Sequence, residues 1–384
     1  MKILHVCLAS FYIDEQAYQE NMLPKFHKEL GYEVEIVASL YKLDQAGGAS
    51  VYSEAGSYIN EHGIKVTRLE YRRPIRVYQT LRRYVGFKEC LEKFTPDIIF
   101  IHGCQFLDIN IVKNYAKKNK VKIFIDNHAD FSNSATNWLS KRIKHGYIWK
   151  KCAKKIEPYV DKFYGVLPAR VDFLKEVYGI SEEKCDLLVM GADDELVNIV
   201  KEKEVFNRIR ERHGVLETDF LIVSGGKINQ YRPETLNLMK AVADLKDTRI
   251  KLIIFGTISD KLKYEFEKLC ENPNIIYVGW IKSQDTYQYI AAANLVVFPG
   301  LHSVMWEQAV AIGKPCVFRS LEGFHHVDLG GNAIFVDDVT AEGLKATIEE
   351  IYVNNDLYDS MVVCANEKGM KAFSYKHIAE ISVK

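Results

Sequence analysis

The chain has 384 residues, of which 48% are hydrophobic and 27% charged, and its formal net charge is zero. This length predicts two domains with ample apolar core, and the balanced charge does not single out nucleic acid as a partner. Eight cysteines without a Cys-x-x-Cys pair argue against a disulfide framework and against a zinc site, and they indicate a reducing, cytoplasmic environment.

The first half of the chain alternates short apolar runs with amphipathic segments. The opening run predicts a first strand and not a signal peptide, because it has one lysine and leads directly into acidic residues. A helix is predicted over residues 19–30, with Gly31 at its end and Pro24 either at its first turn or at a kink. Further strands are predicted at 34–37, 64–66, 98–101, 123–125 and 163–166, and further helices at 78–93 and 111–118.

A second series of the same kind begins after Asp194. Its predicted strands are 221–223, 252–254, 275–278 and 295–298, and its predicted helices are 233–245, 261–270 and 283–292. The chain is therefore predicted to be α/β, with two doubly wound Rossmann-like domains over residues 1–194 and 195–372 that face a central cleft. A helix within residues 373–384 is expected to pack back onto the first domain.

Residues 295–318 have the pattern of strand, loop, helix and strand. The apolar run 295–298 is broken at Pro299, and Ser303 is placed to cap a helix over residues 304–312. Gly313 is placed to end that helix. Such a unit is typical of an open parallel sheet.

The loop before this helix is the first candidate binding site. Backbone N–H groups at a helix start lack helical partners and, with the helix dipole, favour an anion. The candidates for holding a phosphate are Gly300, Leu301, His302 and Ser303. Glu307, about one turn further, is placed to take the diol of a ribose, or alternatively only to complement the dipole.

The first strand of the second half ends in a second candidate site. Gly226 and Lys227 follow the apolar run in what is predicted to be a glycine turn, and Arg232 lies just before the next predicted helix. Two cations at a loop–helix junction are a plausible clamp for a diphosphate.

These residues resemble the nucleotide-sugar domain of retaining glycosyltransferases of the GT-B fold, family 4 (group 1) type. The family's G-R-x-x-x-x-K pattern matches Gly226, Lys227 and Arg232 with the two cations exchanged, and its E-x7-E motif ends at Glu307. The resemblance implies that the donor diphosphate is held by the two cations and the loop amides, and the ribose by the glutamate. It places the base against backbone groups of Gly279 and Ile281.

The resemblance in the first half is looser. The segment IFIDNHAD is similar to the one that carries a histidine near the transferred sugar, which here would be His128; the alternative is a polar residue at a strand end. Pro299 stands where the first glutamate of E-x7-E is expected. The family's early Gly-Gly loop is missing, and the candidates for acceptor or phosphate contacts in its place are Tyr18, Gln19 and Asn21.

The function implied is transfer of a hexose or aminohexose, with retention, from a UDP- or GDP-linked sugar to a glycan or lipid-linked acceptor in surface polysaccharide biosynthesis. No Asp-x-Asp is present, so no metal and no further cofactor are expected, and the cations and helix dipole would stabilise the leaving diphosphate. Two alternatives stay open: a catalytically silent GT-B protein that binds a glycan or regulates a partner, and a nucleotide-sugar epimerase.

A basic region in the first half suggests a further partner. Residues 61–155 contain 21 Lys/Arg against 8 Asp/Glu. Two stretches, 68–84 and 138–155, are basic and aromatic together, which suits an anionic membrane surface and peripheral attachment to the inner face of the cell membrane. A solvated basic helix face is the alternative, and no nucleic-acid motif accompanies the charge.

Overall fold

A computed structural model of the protein describes residues 1–43, 49–131, 134, 140–229 and 233–384. The chain forms two compact units, one comprising Met1–Met190 with Tyr375–Lys384 and the other Gly191–Ser374. The predicted boundaries, after residues 194 and 372, fall close to these. A cleft between the two domains stays a prediction.

A parallel sheet forms the centre of the first unit. The strands of this unit are β1 (Lys2–Cys7), β2 (Glu33–Ser39), β3 (Tyr41–Leu43), β4 (Ala49–Val51), β5 (Gly56–Ile59), β6 (Lys65–Leu69), β7 (Ile98–His102), β8 (Lys122–Asn127), β9 (Lys162–Gly165) and β10 (Cys185–Leu187). Eight of them form one sheet in the order β10-β9-β8-β7-β1-β2-β6-β5, parallel except for the edge strand β5. Strands β3 and β4 pair separately and antiparallel.

Helices flank this sheet. They are α1 (Gln19–Glu29), α2 (Ile75–Leu81), α3 (Phe87–Phe94), α4 (Ile109–Ala116), α5 (Lys150–Ile156) and α6 (Pro168–Phe173), with wider helical turns at Ser140–Trp149 and Leu174–Tyr178. The prediction of one helix over residues 78–93 is wrong. The backbone leaves the helical region at Arg82 (φ +55°) and again at Gly86 (φ +83°), so that α2 and α3 are separate.

The second unit contains a six-stranded parallel sheet. Its strands are β11 (Phe220–Ile228), β12 (Ile250–Ile258), β13 (Ile275–Tyr277), β14 (Leu295–Phe298), β15 (Cys316–Arg319) and β16 (Ala333–Val336), in the order β13-β12-β11-β14-β15-β16. Its helices are α7 (Asp194–Val200), α8 (Lys203–Arg212), α9 (Glu234–Ala243), α10 (Asp260–Leu269), α11 (Thr286–Ala292), α12 (Met305–Ile312), α13 (Ala341–Val353) and α14 (Asn355–Phe373). Two mainly parallel sheets flanked by helices confirm the predicted fold class.

Two glycines in this sheet extend strand pairing beyond the predicted strand end. Gly226 pairs with Gly256 across β11 and β12, and their φ angles are +127° and +123°. A Cβ on Gly256 would lie 1.9 Å from the carbonyl oxygen of Gly226. Only glycine permits this conformation and this approach. The predicted glycine turn at Gly226 and Lys227 is therefore wrong, because both residues lie inside β11.

The last helix, α15 (Tyr375–Ser382), belongs to the first unit. Its apolar face, including Tyr375 and Ile378, packs in one buried cluster with Ile3, Phe100 and Phe124 of the sheet. This is the segment for which the sequence predicts a helix on the first domain. None of the helices in the described part of the chain combines the length and apolarity that crossing a bilayer requires.

Candidate functional site

Helix α12, which follows the loop after β14, begins later in the chain than predicted. The first helical residue is Met305, and Val304 occupies the capping position without a side-chain hydrogen bond. The predicted capping role of Ser303 is therefore wrong; its carbonyl oxygen instead accepts a hydrogen bond from the Trp306 amide at 3.0 Å. Gly313 ends the helix at φ +93°, in agreement with its predicted role.

Glu307 lies in the first turn of α12 and is fully buried. Its Oε1 accepts hydrogen bonds from His302 Nε2 at 2.9 Å and from His326 Nε2 at 2.8 Å. Its Oε2 lies 3.2 Å from the same His302 nitrogen. Both imidazoles are almost completely buried as well. We refer to Glu307, His302 and His326 as the imidazole–carboxylate triad.

The triad keeps the carboxylate charged in an apolar environment. Burial by itself raises the pKa of Glu307, but the charge and hydrogen bonds of His302, and then those of His326, outweigh it and lower the pKa to about 2. In this structure the carboxylate faces the two rings and has no exposed surface, so its role in binding a ribose stays a prediction. Nδ1 of His326 is buried and has no hydrogen-bond partner among the described residues.

The structure brings the glycines of the two predicted phosphate sites to one edge of the sheet. Strands β11 and β14 are neighbours. A Cβ on Gly226 would lie 3.6 Å from the Met305 side chain, and one on Gly300 would lie 3.8 Å from Glu234 Oε2, at the start of α9. Lys227 is exposed at the end of β11. Arg232 lies outside the described residues.

The remaining predicted donor contacts lie in neighbouring loops. Leu301 is 40% exposed beside the triad. The Gly279 carbonyl accepts a hydrogen bond from the Gly256 amide at 2.8 Å, which fixes the loop after β13 against β12. Ile281, in the same loop, is partly exposed. The functions of these residues stay predictions.

Two residues at this edge were not predicted from the sequence. Arg319, at the end of β15, donates to Glu234 Oε1 at 2.7 Å, and Glu234 Oε2 is buried without a hydrogen-bond partner among the described residues. His326 follows β15 in the chain and meets Glu307 only through the fold. No fixed spacing links either residue to the predicted motifs, so the sequence contains no signal for them.

The first unit contains a cavity of about 580 Å³ at the carboxyl ends of β1, β7 and β8. Both Tyr18 and His128 line it, as do Glu20, Arg82 and Lys144, which were not predicted. Gln19 and Asn21 are buried at the start of α1, where the side-chain amide of Asn21 donates to the carbonyl of Ile13. Of the three candidate acceptor residues, only Tyr18 lines this cavity.

His128 lies between two acidic side chains. Its Nε2 is 3.3 Å from Asp126 Oδ1 and 3.8 Å from Glu20 Oε1. Burial lowers the pKa of His128, but Glu20 and then Asp126 outweigh it, so that the pKa is raised. A protonated imidazole at the cavity wall is suited to donate to a sugar or an acceptor oxygen. The catalytic role of His128 stays a prediction.

A chain of buried histidines extends from Asp126 into the first unit. Asp126 Oδ2 lies 2.7 Å from His102 Nδ1, His102 Nε2 lies 3.0 Å from His5 Nδ1, and His5 Nε2 lies 3.0 Å from His27 Nδ1. The last ring nitrogen, His27 Nε2, is 3.0 Å from the Ser382 hydroxyl of α15. Because a carboxylate only accepts, His102 donates to Asp126 through Nδ1. The Ala379 carbonyl oxygen also only accepts, so His27 donates to it through Nε2 at 3.1 Å.

Burial disfavours the charged form of His5 and His27. It lowers the pKa of His5 well below the ordinary value, and the neighbouring His27 and His102 lower it further. Burial also lowers the pKa of His27 to about 4. His5 and His27 are therefore neutral at physiological pH and act as fixed hydrogen-bond partners.

Within the described ranges, two groups of side chains have the spacing of a metal site. The ligand atoms of Glu20, His102 and His128 lie within 4.8 Å of one another, and so do those of the triad. Imidazole nitrogen with carboxylate oxygen is a ligand set that suits zinc or another divalent transition metal. The absence of a metal from the reaction stays a prediction.

The basic stretch 68–84 is partly structural. Arg68 is buried and paired with Asp14 at 2.9 Å, and Arg83 is paired with the buried Asp108 at 3.1 Å. Helix α2 exposes Ile75 and Val77. The first residues of the stretch 138–155 lie outside the described residues. A membrane surface as partner stays a prediction.

Comparison with known proteins agrees with this architecture. Residues 217–354 match the family described as "Glycosyl transferases group 1". This segment contains the whole sheet edge described above, from β11 to α13. Mannosylfructose-phosphate synthase of Agrobacterium fabrum is 22% identical over 256 residues, which cover 63% of this chain and 54% of that protein. The match therefore spans about half the length of that relative.

Solved structures show the same fold over nearly the whole chain. Sucrose-phosphate synthase from Thermosynechococcus elongatus aligns with a TM-score of 0.68 at 15% identity, over 99% of this chain and 97% of that one. Anabaena HepE in complex with UDP and glucose aligns with a TM-score of 0.67 at 13% identity, over 99% and 97%. The protein therefore has the GT-B fold, and its residues 217–354 match the group 1 glycosyl transferase family.

Proposed function

We propose that the protein is a retaining hexosyltransferase or aminohexosyltransferase that uses a UDP- or GDP-linked sugar. The observation that supports this most strongly is the shared sheet edge in the second unit. Lys227, the loop of Gly300 and Glu307 of the triad all belong to the segment that matches the group 1 family. The neighbour HepE is in complex with UDP and glucose.

The residues of the second unit would bind the nucleotide. Lys227 and Arg232 would contact the diphosphate, together with the amides of the loop 300–303. The buried triad would hold the ribose, with His302 and His326 keeping Glu307 charged and in place. When the sugar–phosphate bond breaks, negative charge develops on the leaving diphosphate, and these positive groups would stabilise it without a metal. His128 of the first unit would orient the sugar or polarise the acceptor.

The acceptor would be a glycan or a lipid-linked saccharide of a surface polysaccharide. The basic and aromatic stretches support peripheral attachment to the inner face of the cell membrane, since helix α2 exposes Ile75 and Val77 beside arginines.

Calorimetric titration with UDP, GDP and ADP tests the donor site. We expect one nucleotide to bind the wild type, and Lys227→Ala to weaken it about 10-fold through the loss of one charged phosphate contact. Lys246→Ala, which removes an exposed lysine that follows α9, is the matched control and should bind as the wild type does. With a competent donor, Lys227→Ala should slow diphosphate release about 100-fold. Binding of none of the three nucleotides would refute the proposal.

A catalytically silent binding protein is the second candidate. Pro299 stands where a glutamate is expected to hold the donor sugar, and the triad already occupies Glu307. Nucleotide binding without release of diphosphate from any sugar conjugate, with or without acceptor extracts, would favour this candidate.

A further inference from the structure

The cavity of the first unit contains more positive than negative charge. Arg82 and Lys144 both line it. Neither has a carboxylate partner among the described residues. Glu20 is the acidic side chain in the lining, and it lies 3.8 Å from His128. The two cations are therefore left without a counter-charge inside a concave site, where their field is focused.

Arg82 has an unfavourable backbone conformation for its residue type. It adopts φ +55°, a region that a residue with a long side chain seldom occupies. Its guanidinium donates to the carbonyl of Gln105 at 3.0 Å and lies over the Trp149 ring, 5.8 Å from the centroid. Gln105 and Trp149 also line the cavity, so this strained backbone fixes a cation at its wall.

The positive charges at this wall lower the pKa values of neighbouring groups. Desolvation lowers the pKa of Lys144, and Arg82 lowers it further. Desolvation, Lys144 and Arg82 together lower the pKa of His145 to about 4. Both cations line the same cavity, and an anion bound there would offset the unfavourable interaction of their like charges.

The same cavity offers ring surfaces. Phe11 and Tyr41 line it and stack on each other with centroids 3.9 Å apart, and Phe11 is 47% exposed. Tyr18, also in the lining, is 41% exposed. Exposed aromatic faces of this kind are suited to contact the apolar face of a sugar ring. The hydroxyl group of a tyrosine is suited to form hydrogen bonds with the hydroxyl groups of the sugar.

We propose that this cavity binds an acceptor that carries a phosphate ester next to a sugar ring. The phosphate would lie between Arg82 and Lys144, and the sugar against Phe11, Tyr41 and Tyr18. This inference rests on the proposed function for the role of the ligand as acceptor, but the binding itself does not depend on nucleotide binding in the second unit. A soluble sugar phosphate and a lipid-linked sugar diphosphate share this chemistry.

Titration of the full chain with glucose, glucose 1-phosphate and glucose 6-phosphate tests the proposal. We expect at least one phosphate ester to bind about 10-fold or more tightly than glucose, since hydrogen bonds to charged groups are the strong ones. Arg82→Asn and Lys144→Gln should each remove most of that gain. Asparagine is tolerated at positive φ, so Arg82→Asn keeps the backbone, and Lys144 is exposed enough to be replaced without unfolding.

Matched controls separate this site from general charge effects and from the donor site. Arg142→Gln, on the same helical turn as Lys144, and Arg76→Gln, on α2, remove exposed arginines outside the lining and should bind as the wild type does. Lys227→Ala should leave sugar phosphate binding unchanged and affect only nucleotide binding. Failure of UDP, GDP and ADP to bind would refute the proposed function, whereas sugar phosphate binding in the first unit could still be measured and compared between the variants.

A second arm identifies the source of the phosphate. A short-chain polyprenyl diphosphate sugar in detergent micelles is titrated in the same way. Binding of this ligand alone, lost in Arg82→Asn, supports the proposal and identifies a lipid-linked acceptor; binding of the soluble esters supports it and identifies a free sugar phosphate. The proposal is overturned if neither binds more tightly than glucose, or if Arg142→Gln loses as much affinity as Arg82→Asn.

Discussion

Replacement of Glu307 by glutamine tests the charge state of the triad. The glutamine oxygen has two lone pairs and can still accept from both imidazoles, at the positions now 2.9 and 2.8 Å from Oε1. Shape and most hydrogen bonds are therefore retained while the negative charge is lost. The variant isolates the contribution of a buried, fully paired carboxylate to the stability of the second unit.

The magnitude follows from the pKa of this carboxyl. Its ordinary value is 4.5, and the folded value is about 2. A lowered folded pKa stabilises the protein above pH 4.5, and the stabilisation is lost as the pH falls through about 2. The difference corresponds to about 3 kcal/mol at pH 7, and it shrinks by about 1 kcal/mol at pH 3.5.

Urea unfolding at pH 7 and pH 3.5, monitored by tryptophan fluorescence and circular dichroism, measures the difference in the free energy of unfolding between the variant and the wild type. Trp306 stacks on Phe318 beside the triad, with centroids 4.3 Å apart, and reports on the second unit. Glu349→Gln, on the exposed face of α13, is the matched control and should lie within about 0.5 kcal/mol of the wild type. A Glu307→Gln variant as stable as this control at both pH values would refute the assignment of a stabilising buried charge.

Two further variants test the glycine contact and the histidine chain. Gly256→Ala should destabilise the second unit by at least about 3 kcal/mol, because a Cβ would meet the Gly226 carbonyl oxygen at 1.9 Å and the φ is +123°. Gly56→Ala, where nothing lies within 4 Å, should change the midpoint of thermal unfolding little, and equal losses in both would contradict the argument. His27→Gln should reduce the pH dependence of the first unit. The pKa of His27 is lowered from 6.5 to about 4, so between these pH values the unfolded state binds about one more proton than the folded state. The free energy of unfolding therefore falls as the pH drops through this window. An unchanged slope between pH 6.5 and pH 4 would show that His27 does not titrate in this way.

Much of the fold follows from local pattern. Apolar runs such as 295–298 are strands because their residues are buried on both faces of a parallel sheet, and Gly313 ends a helix because it adopts a positive φ. The break between α2 and α3 had no such signal, because Arg82 is not a residue that normally adopts φ +55°. Likewise, glycine is common in turns, but Gly226 lies within a strand and its carbonyl oxygen closely approaches Gly256 of the neighbouring strand.

The candidate sites were predictable only where a motif is contiguous. Glu307 and the loop of Gly300 lie within a few residues of each other, so spacing alone placed them together. His326 and Arg319 reach the same sheet edge from a different strand end, and His5 and His27 meet His102 from β1 and α1. Contacts between distant segments are set by tertiary packing, which local sequence patterns do not reveal.

The placement of α15 has a consequence for how the protein is made. A ribosome completes residues 1–190 long before it reaches Tyr375, yet the face of the first sheet that includes Ile3, Phe100 and Phe124 is covered by that last helix. The contiguous second unit, Gly191–Ser374, can fold first as a complete body. Until α15 has been translated, the first unit lacks part of the cover of this sheet face, and we expect the uncovered apolar surface to be accessible to chaperones.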